Sequence, residues 1–75
     1  MEKLTELKNG AMRRIVLIDG AAPLKIKRRL LELGFTSGQK VKVVRKSLLG
    51  ETYLIELRGY SISMRKELAK YLIVE

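Results

Sequence analysis

The chain is 75 residues long and carries sixteen Lys and Arg against eight Asp and Glu, a formal net charge of +8, with no cysteine and no histidine. A core drawn from so few residues supplies a net stability of only about 3–5 kcal/mol, which points to one domain over residues 1–75 and leaves no room for a large active-site cleft. The missing residue types remove disulfides, thiolate nucleophiles, the soft ligands that hold zinc or iron, and the usual general base at neutral pH, so no enzyme, no metal site and no cofactor is expected.

The N-terminal stretch "MEKLTELKNG" places Leu4 and Leu7 at helical or turn spacing before Asn9-Gly10 and mixes charges with leucines. It has no apolar leader core, and the longest aliphatic runs, "IVLI" and "LIV", fall far short of a membrane span. A soluble, cytoplasmic protein is the expectation. "AMRRIVLIDG" then reads as a strand with Ile15 and Leu17 on one face and Val16 and Ile18 on the other; both faces are apolar, which predicts a central position. Pro23 stands where a first helical residue is tolerated, and a short amphipathic helix follows over 24–33. Its stripe is Ile26, Leu30 and Leu33; Lys25, Arg28, Arg29 and Glu32 lie opposite, with Glu32 spaced to pair with Arg28 or Arg29.

Gly34 is placed to take the left-handed conformation that closes a helix, after which Phe35 packs back on Leu30. Thr36-Ser37-Gly38 turns the chain into "KVKVVRK", whose Val41 and Val43 alternate with Lys40, Lys42 and Val44 as in a half-buried strand. "TYLIELR" sets Tyr53, Ile55 and Leu57 against Thr52, Glu56 and Arg58. Gly59 permits a hairpin, and "YSISM" sets Tyr60, Ile62 and Met64 against Ser61 and Ser63. "RKELAK" favours about one turn of helix and "YLIVE" a closing strand that pairs with the first. Together these predict a mainly β fold, a small SH3-like barrel of about five antiparallel strands with one inserted α-helix.

No group of residues suggests catalysis. The acids Glu2, Glu6, Asp19, Glu32, Glu51, Glu56, Glu67 and Glu75 stand singly, without the close pair that glycosidases or calcium loops need.

From "LTELKNG" to the end the chain resembles the FeoA family of small bacterial proteins that accompany the ferrous iron transporter FeoB. The resemblance is carried by the helix end at Leu30 to Gly34, the turn at Gly38, the small-residue-leucine-glycine loop at Ser47 to Gly50, and "ISMRKELA" at Ile62 to Ala69. Ser37 stands where the family commonly has proline before the glycine, and Leu48 and Thr52 where prolines often bracket the loop, so looser loops are expected. The resemblance implies an SH3-like domain that docks on the cytoplasmic GTP-binding region of a FeoB-like transporter and modulates it. It places the protein in the cytoplasm, or peripheral to the inner membrane through the transporter, with no membrane insertion of its own. The same fold is that of the C-terminal domain of iron-dependent repressors, whose DNA-binding helices have no counterpart in these residues.

Four residues are the candidate partner-binding surface. Arg28 and Arg29 face solvent on the helix, and Leu48 and Leu49 occupy a loop whose pattern does not require both to be buried. They form either an apolar anchor with a polar rim or a cap on the barrel's open end. The alternative function is a small basic barrel that binds RNA or DNA, drawn by a pI near 10.1. Against it, single-strand binders stack bases on exposed aromatics, and only Phe35, Tyr53, Tyr60 and Tyr71 are present, in positions that alternate with core residues.

Overall fold

Alternating apolar residues over 40–46, 52–57 and 60–65 leave the backbone little choice but extended structure, and a computed structural model describing residues 1–75 shows three strands there. In chain order the elements are β1 (Glu2–Lys3), a 3₁₀ turn (Leu4–Glu6), β2 (Met12–Ile18), α1 (Leu24–Glu32), β3 (Lys40–Lys46), β4 (Thr52–Leu57), β5 (Tyr60–Arg65), the one-turn α2 (Lys66–Ala69) and β6 (Leu72–Val74). The six strands form one antiparallel sheet in the order β1-β6-β2-β3-β4-β5. The sheet curls around its core as the expected SH3-like barrel. The two-residue β1, which no sequence pattern announces, adds a sixth strand beyond the five expected.

The core is made of 14 buried residues, every one of them apolar, and no polar or charged side chain is buried with them. Val41 and Val43 of β3 and Tyr53, Ile55 and Leu57 of β4 supply its sheet face in the alternation the sequence predicts. Leu4 and Leu7 close one end from the 3₁₀ turn, where the Glu6 carboxylate accepts a hydrogen bond from the Lys3 backbone N–H at 2.8 Å. After β5, α2 carries the chain to β6 and buries Ala69 against the same core.

Strand β2 takes the central place expected of it, with uneven burial of its two faces. It is central in pairing, with β3 on one side over Met12–Arg14 and β6 on the other over Ile15–Ile18, but it is not buried on both faces. A bulge between Ile15 and Leu17 inserts Val16 as an extra residue, so the side chains beyond it change face. Ile15 is buried, Val16 and Ile18 are half-buried, and Leu17 is exposed. A second bulge, between Val43 and Arg45, bends β3 on its way to the β3–β4 turn.

The end of α1 is built as predicted. Gly34 has φ +103°, the Gly34 N–H donates to Leu31 O at 3.0 Å, and the Phe35 N–H donates to Leu30 O at 3.1 Å. These two bonds are the pair that defines a Schellman motif, and they satisfy carbonyls that the helix itself leaves without partners. Leu30 and Phe35, joined by that bond, are both buried in the core. Each contributes roughly 1.5–3 kcal/mol of burial. Beyond Gly34, the Tyr60 hydroxyl donates to Leu33 O at 3.0 Å, seating the C-terminal end of α1 on the β4–β5 hairpin.

Candidate docking surfaces

Because every buried side chain is apolar, whatever chemistry the protein performs lies on its surface. That surface is cationic and almost unpaired: Arg13, held by Glu2 at 3.1 Å, forms the single salt bridge. The pairing expected between Glu32 and Arg28 or Arg29 is not made. On an exposed helix such a pair gains only about 0.3–0.5 kcal/mol, too little to hold long side chains together, and both arginines stay free.

Arg28 and Arg29 line a shallow depression with Leu24, Lys25, Ile26, Glu32 and, from α2, Leu68. Leu24 is exposed, Ile26 and Leu68 are half-buried against the core, and the basic side chains ring them, giving an apolar floor with a positive rim.

Leu48 and Leu49 lie elsewhere. They are the two central residues of a tight turn between β3 and β4 in which the Gly50 N–H donates to Ser47 O at 2.9 Å. The Ser47 hydroxyl accepts from the N–H groups of Glu51 at 3.1 Å and Thr52 at 3.0 Å, and the Ser47 N–H donates to Thr52 O at 2.8 Å. So the turn is pinned without the family's prolines, contrary to the looser loop expected. It throws both leucines outward, Leu48 fully exposed and Leu49 84% exposed, which removes the reading in which they cap the barrel. The hollow beside Leu48 is lined by Arg45, Lys46, Thr52, Leu54 and Ser63 and shares no residue with the α1 depression. The four predicted residues are therefore all exposed, but they belong to two separate surfaces.

The aromatic rings offer no extended stacking platform. Phe35 and Tyr53 are buried and Tyr71 is half-buried; Tyr60, expected among the core residues, is exposed, with its hydroxyl tied to α1. No cluster of three or more acidic, histidine or cysteine side chains converges anywhere.

An apolar core, a curled six-stranded sheet and a cationic exterior without a catalytic constellation define a small SH3-like barrel. Residues 2–75 match the FeoA domain, and the chain belongs to the FeoA family. It is 32% identical over 73 residues, 97% of its length, to an Fe(2+) transport protein A/Fe(2+) transporter FeoB fusion protein of Porphyromonas gingivalis, of which it spans 8%. Among solved structures, FeoA of Chlorobium tepidum is 34% identical with a TM-score of 0.84, covering 97% of this chain and 68% of that one. FeoA of Stenotrophomonas maltophilia, solved with zinc and described as a prokaryotic SH3 domain protein, is 31% identical with a TM-score of 0.85, covering 100% of this chain and 91% of that one. The family is thus associated with ferrous iron transport, and its members share the barrel seen here.

Proposed function

We propose that this domain docks on the cytoplasmic GTP-binding region of a FeoB-like ferrous iron transporter and modulates it without catalysing a reaction of its own. The observation that carries the reading is the Porphyromonas gingivalis relative, in which a domain 32% identical to this chain is joined to FeoB in one polypeptide. Covalent linkage holds two modules at a high effective concentration, roughly millimolar for a short linker, which is useful where the modules engage each other. Where the two modules are on separate chains, they meet by diffusion. Free charges such as those of Arg28 and Arg29 accelerate that encounter.

The α1 depression is the docking face in this reading. Leu24, Ile26 and Leu68 supply a modest apolar contact, and Lys25, Arg28 and Arg29 select an acidic counterpart. Modulation is differential binding: the domain shifts the transporter only by as much as it prefers one conformational state over another.

Co-purification tests this. The tagged domain is recovered from its host with and without nuclease treatment, at two ionic strengths. Transporter in the eluate, lost on Arg28→Glu with Arg29→Glu, supports the reading. Nucleic acid in place of transporter, in the samples spared nuclease, replaces it with the basic barrel that binds RNA or DNA.

A further inference from the structure

The side chains of the leucine turn add nothing to the core. Leu48 and Leu49 touch no core, and the turn that carries them is closed by Ser47 through backbone and hydroxyl bonds that any residues at those two positions permit. A protein gains nothing in solution from two adjacent, exposed leucines at the end of a turn.

Around that tip the exposed charge is mostly positive. Arg45 lies at the end of β3. Arg65 faces Thr52 across the β4–β5 ladder, and the Lys66 N–H bonds Glu51 O at 3.0 Å. Asn9 Oδ1 accepts from the Lys46 N–H at 3.1 Å, which brings the neighbouring Lys8 to the same end of the barrel. None of Lys8, Arg45, Arg65 and Lys66 is in a salt bridge, and Glu51, Glu67 and Glu6, whose neighbour Thr5 accepts from Lys46 Nζ, are the acids on the same end.

We propose that this end of the barrel is a membrane-seating site: Leu48 and Leu49 enter the interfacial region of an anionic bilayer while Lys8, Arg45, Arg65 and Lys66 bind its headgroups. Two exposed turn leucines with a cationic collar suit a lipid surface, which needs no complementary pocket, better than a protein, which does. No helix of the chain is long and apolar enough to cross a membrane, and shallow seating requires none. Such seating departs from the expectation of no membrane insertion that the family resemblance implies. Each basic residue held near an anionic surface strengthens binding by about fivefold, and insertion of the two leucines by roughly tenfold or more together. The site is distinct from the α1 face and does not depend on the transporter being the partner.

The test is sedimentation of the purified chain with vesicles of phosphatidylcholine alone or with about one-third phosphatidylglycerol, a composition that sets a negative surface potential. The expected result is binding to the anionic vesicles, weakened by salt and lost on neutral ones. Leu48→Ser with Leu49→Ser should reduce it by at least about tenfold with an unchanged melting temperature. Arg45→Glu with Arg65→Glu should reduce it further than Arg28→Glu with Arg29→Glu. A fluorophore at position 48 should shift to the blue on binding. Three results overturn the proposal: no binding to anionic vesicles, binding that the leucine variant leaves intact, or a leucine variant that binds vesicles normally but no longer captures transporter, which assigns the turn to a protein interface.

Discussion

Replacing Gly34 by alanine isolates the energetic cost of the helix stop. Gly34 has φ +103°, outside the range an L-residue adopts without strain, and the left-handed region alone costs roughly 1–2 kcal/mol. A Cβ at this position also lies 3.3 Å from Leu57 Cδ2 and 3.5 Å from Tyr60 Oη. Leu57 is buried, so its methyl moves only by disturbing the core, and Tyr60 is held by its bond to Leu33 O. The combined penalty is about 2 kcal/mol, roughly half the net stability of a domain this size, and a melting temperature lower by about 8–16 °C. Two further glycines calibrate the measurement. Gly38 has φ +85° and nothing within 4 Å of a Cβ, so Gly38→Ala carries the backbone strain alone, about 1 kcal/mol. At Gly20 there is neither a positive φ nor a neighbour, and Gly20→Ala should stay within about 0.5 kcal/mol of the parent. Thermal unfolding followed by circular dichroism, with urea midpoints as a check, ranks the three. If Gly34→Ala melts with Gly20→Ala, the left-handed helix stop is not a stabilising feature and the reasoning fails. If it melts with Gly38→Ala, the contact with Leu57 carries no weight.

Ser47→Ala removes an acceptor for two backbone N–H groups and should lower stability by about 1 kcal/mol, with faster amide exchange at Glu51 and Thr52 as the local readout. Arg28→Glu with Arg29→Glu should slow association with the purified transporter by about tenfold at low salt while leaving dissociation nearly unchanged; stopped-flow rates that do not move show that the α1 face is merely solvated. Zinc or ferrous iron titrated into the chain should show no stoichiometric site tighter than about micromolar, because no three candidate ligands converge and neither histidine nor cysteine is present; calorimetry that finds such a site contradicts this.

The parts of this fold legible in the sequence are those written by local chemistry. A helix stop needs a residue free to take positive φ and an apolar residue after it, and Gly34-Phe35 says so within two positions. Likewise Tyr53, Ile55 and Leu57 declare a buried face by alternation alone. The misread parts depend on what lies across a gap. The exposure of Leu17 follows from a bulge whose register is set by pairing with β6, far along the chain. β1 exists because Val74 and Ile73 are there to pair with Glu2 and Lys3, not because two charged residues favour a strand. The candidate site divides in the same way. That Arg28 and Arg29 face solvent was within reach of pattern; that Leu48 and Leu49 face it too, from a separate surface, is tertiary information. Whether adjacent turn leucines cap a barrel or project from it is decided by the Ser47 hydrogen bonds, which "SLLG" permits but does not require.

The all-apolar core has a consequence for how function is distributed. A domain with about 3–5 kcal/mol of net stability cannot hold an unpaired polar group in its interior, since one such group costs about 1–3 kcal/mol. None is found there. Recognition is therefore confined to residues whose side chains leave the core, and the fold offers two kinds of place for them. One is the outward face of α1, where helical spacing keeps Arg28 and Arg29 opposite Leu30. The other is a turn closed by its own hydrogen bonds, where Leu48 and Leu49 are free to be whatever the contact needs. In both places a substitution reaches the partner without reaching the core. Loss of binding at unchanged melting temperature is thus the signature that separates a contact residue of this domain from a structural one, and Leu30→Ala, which empties a fully buried position at about 2–5 kcal/mol, is the control that should remove both together.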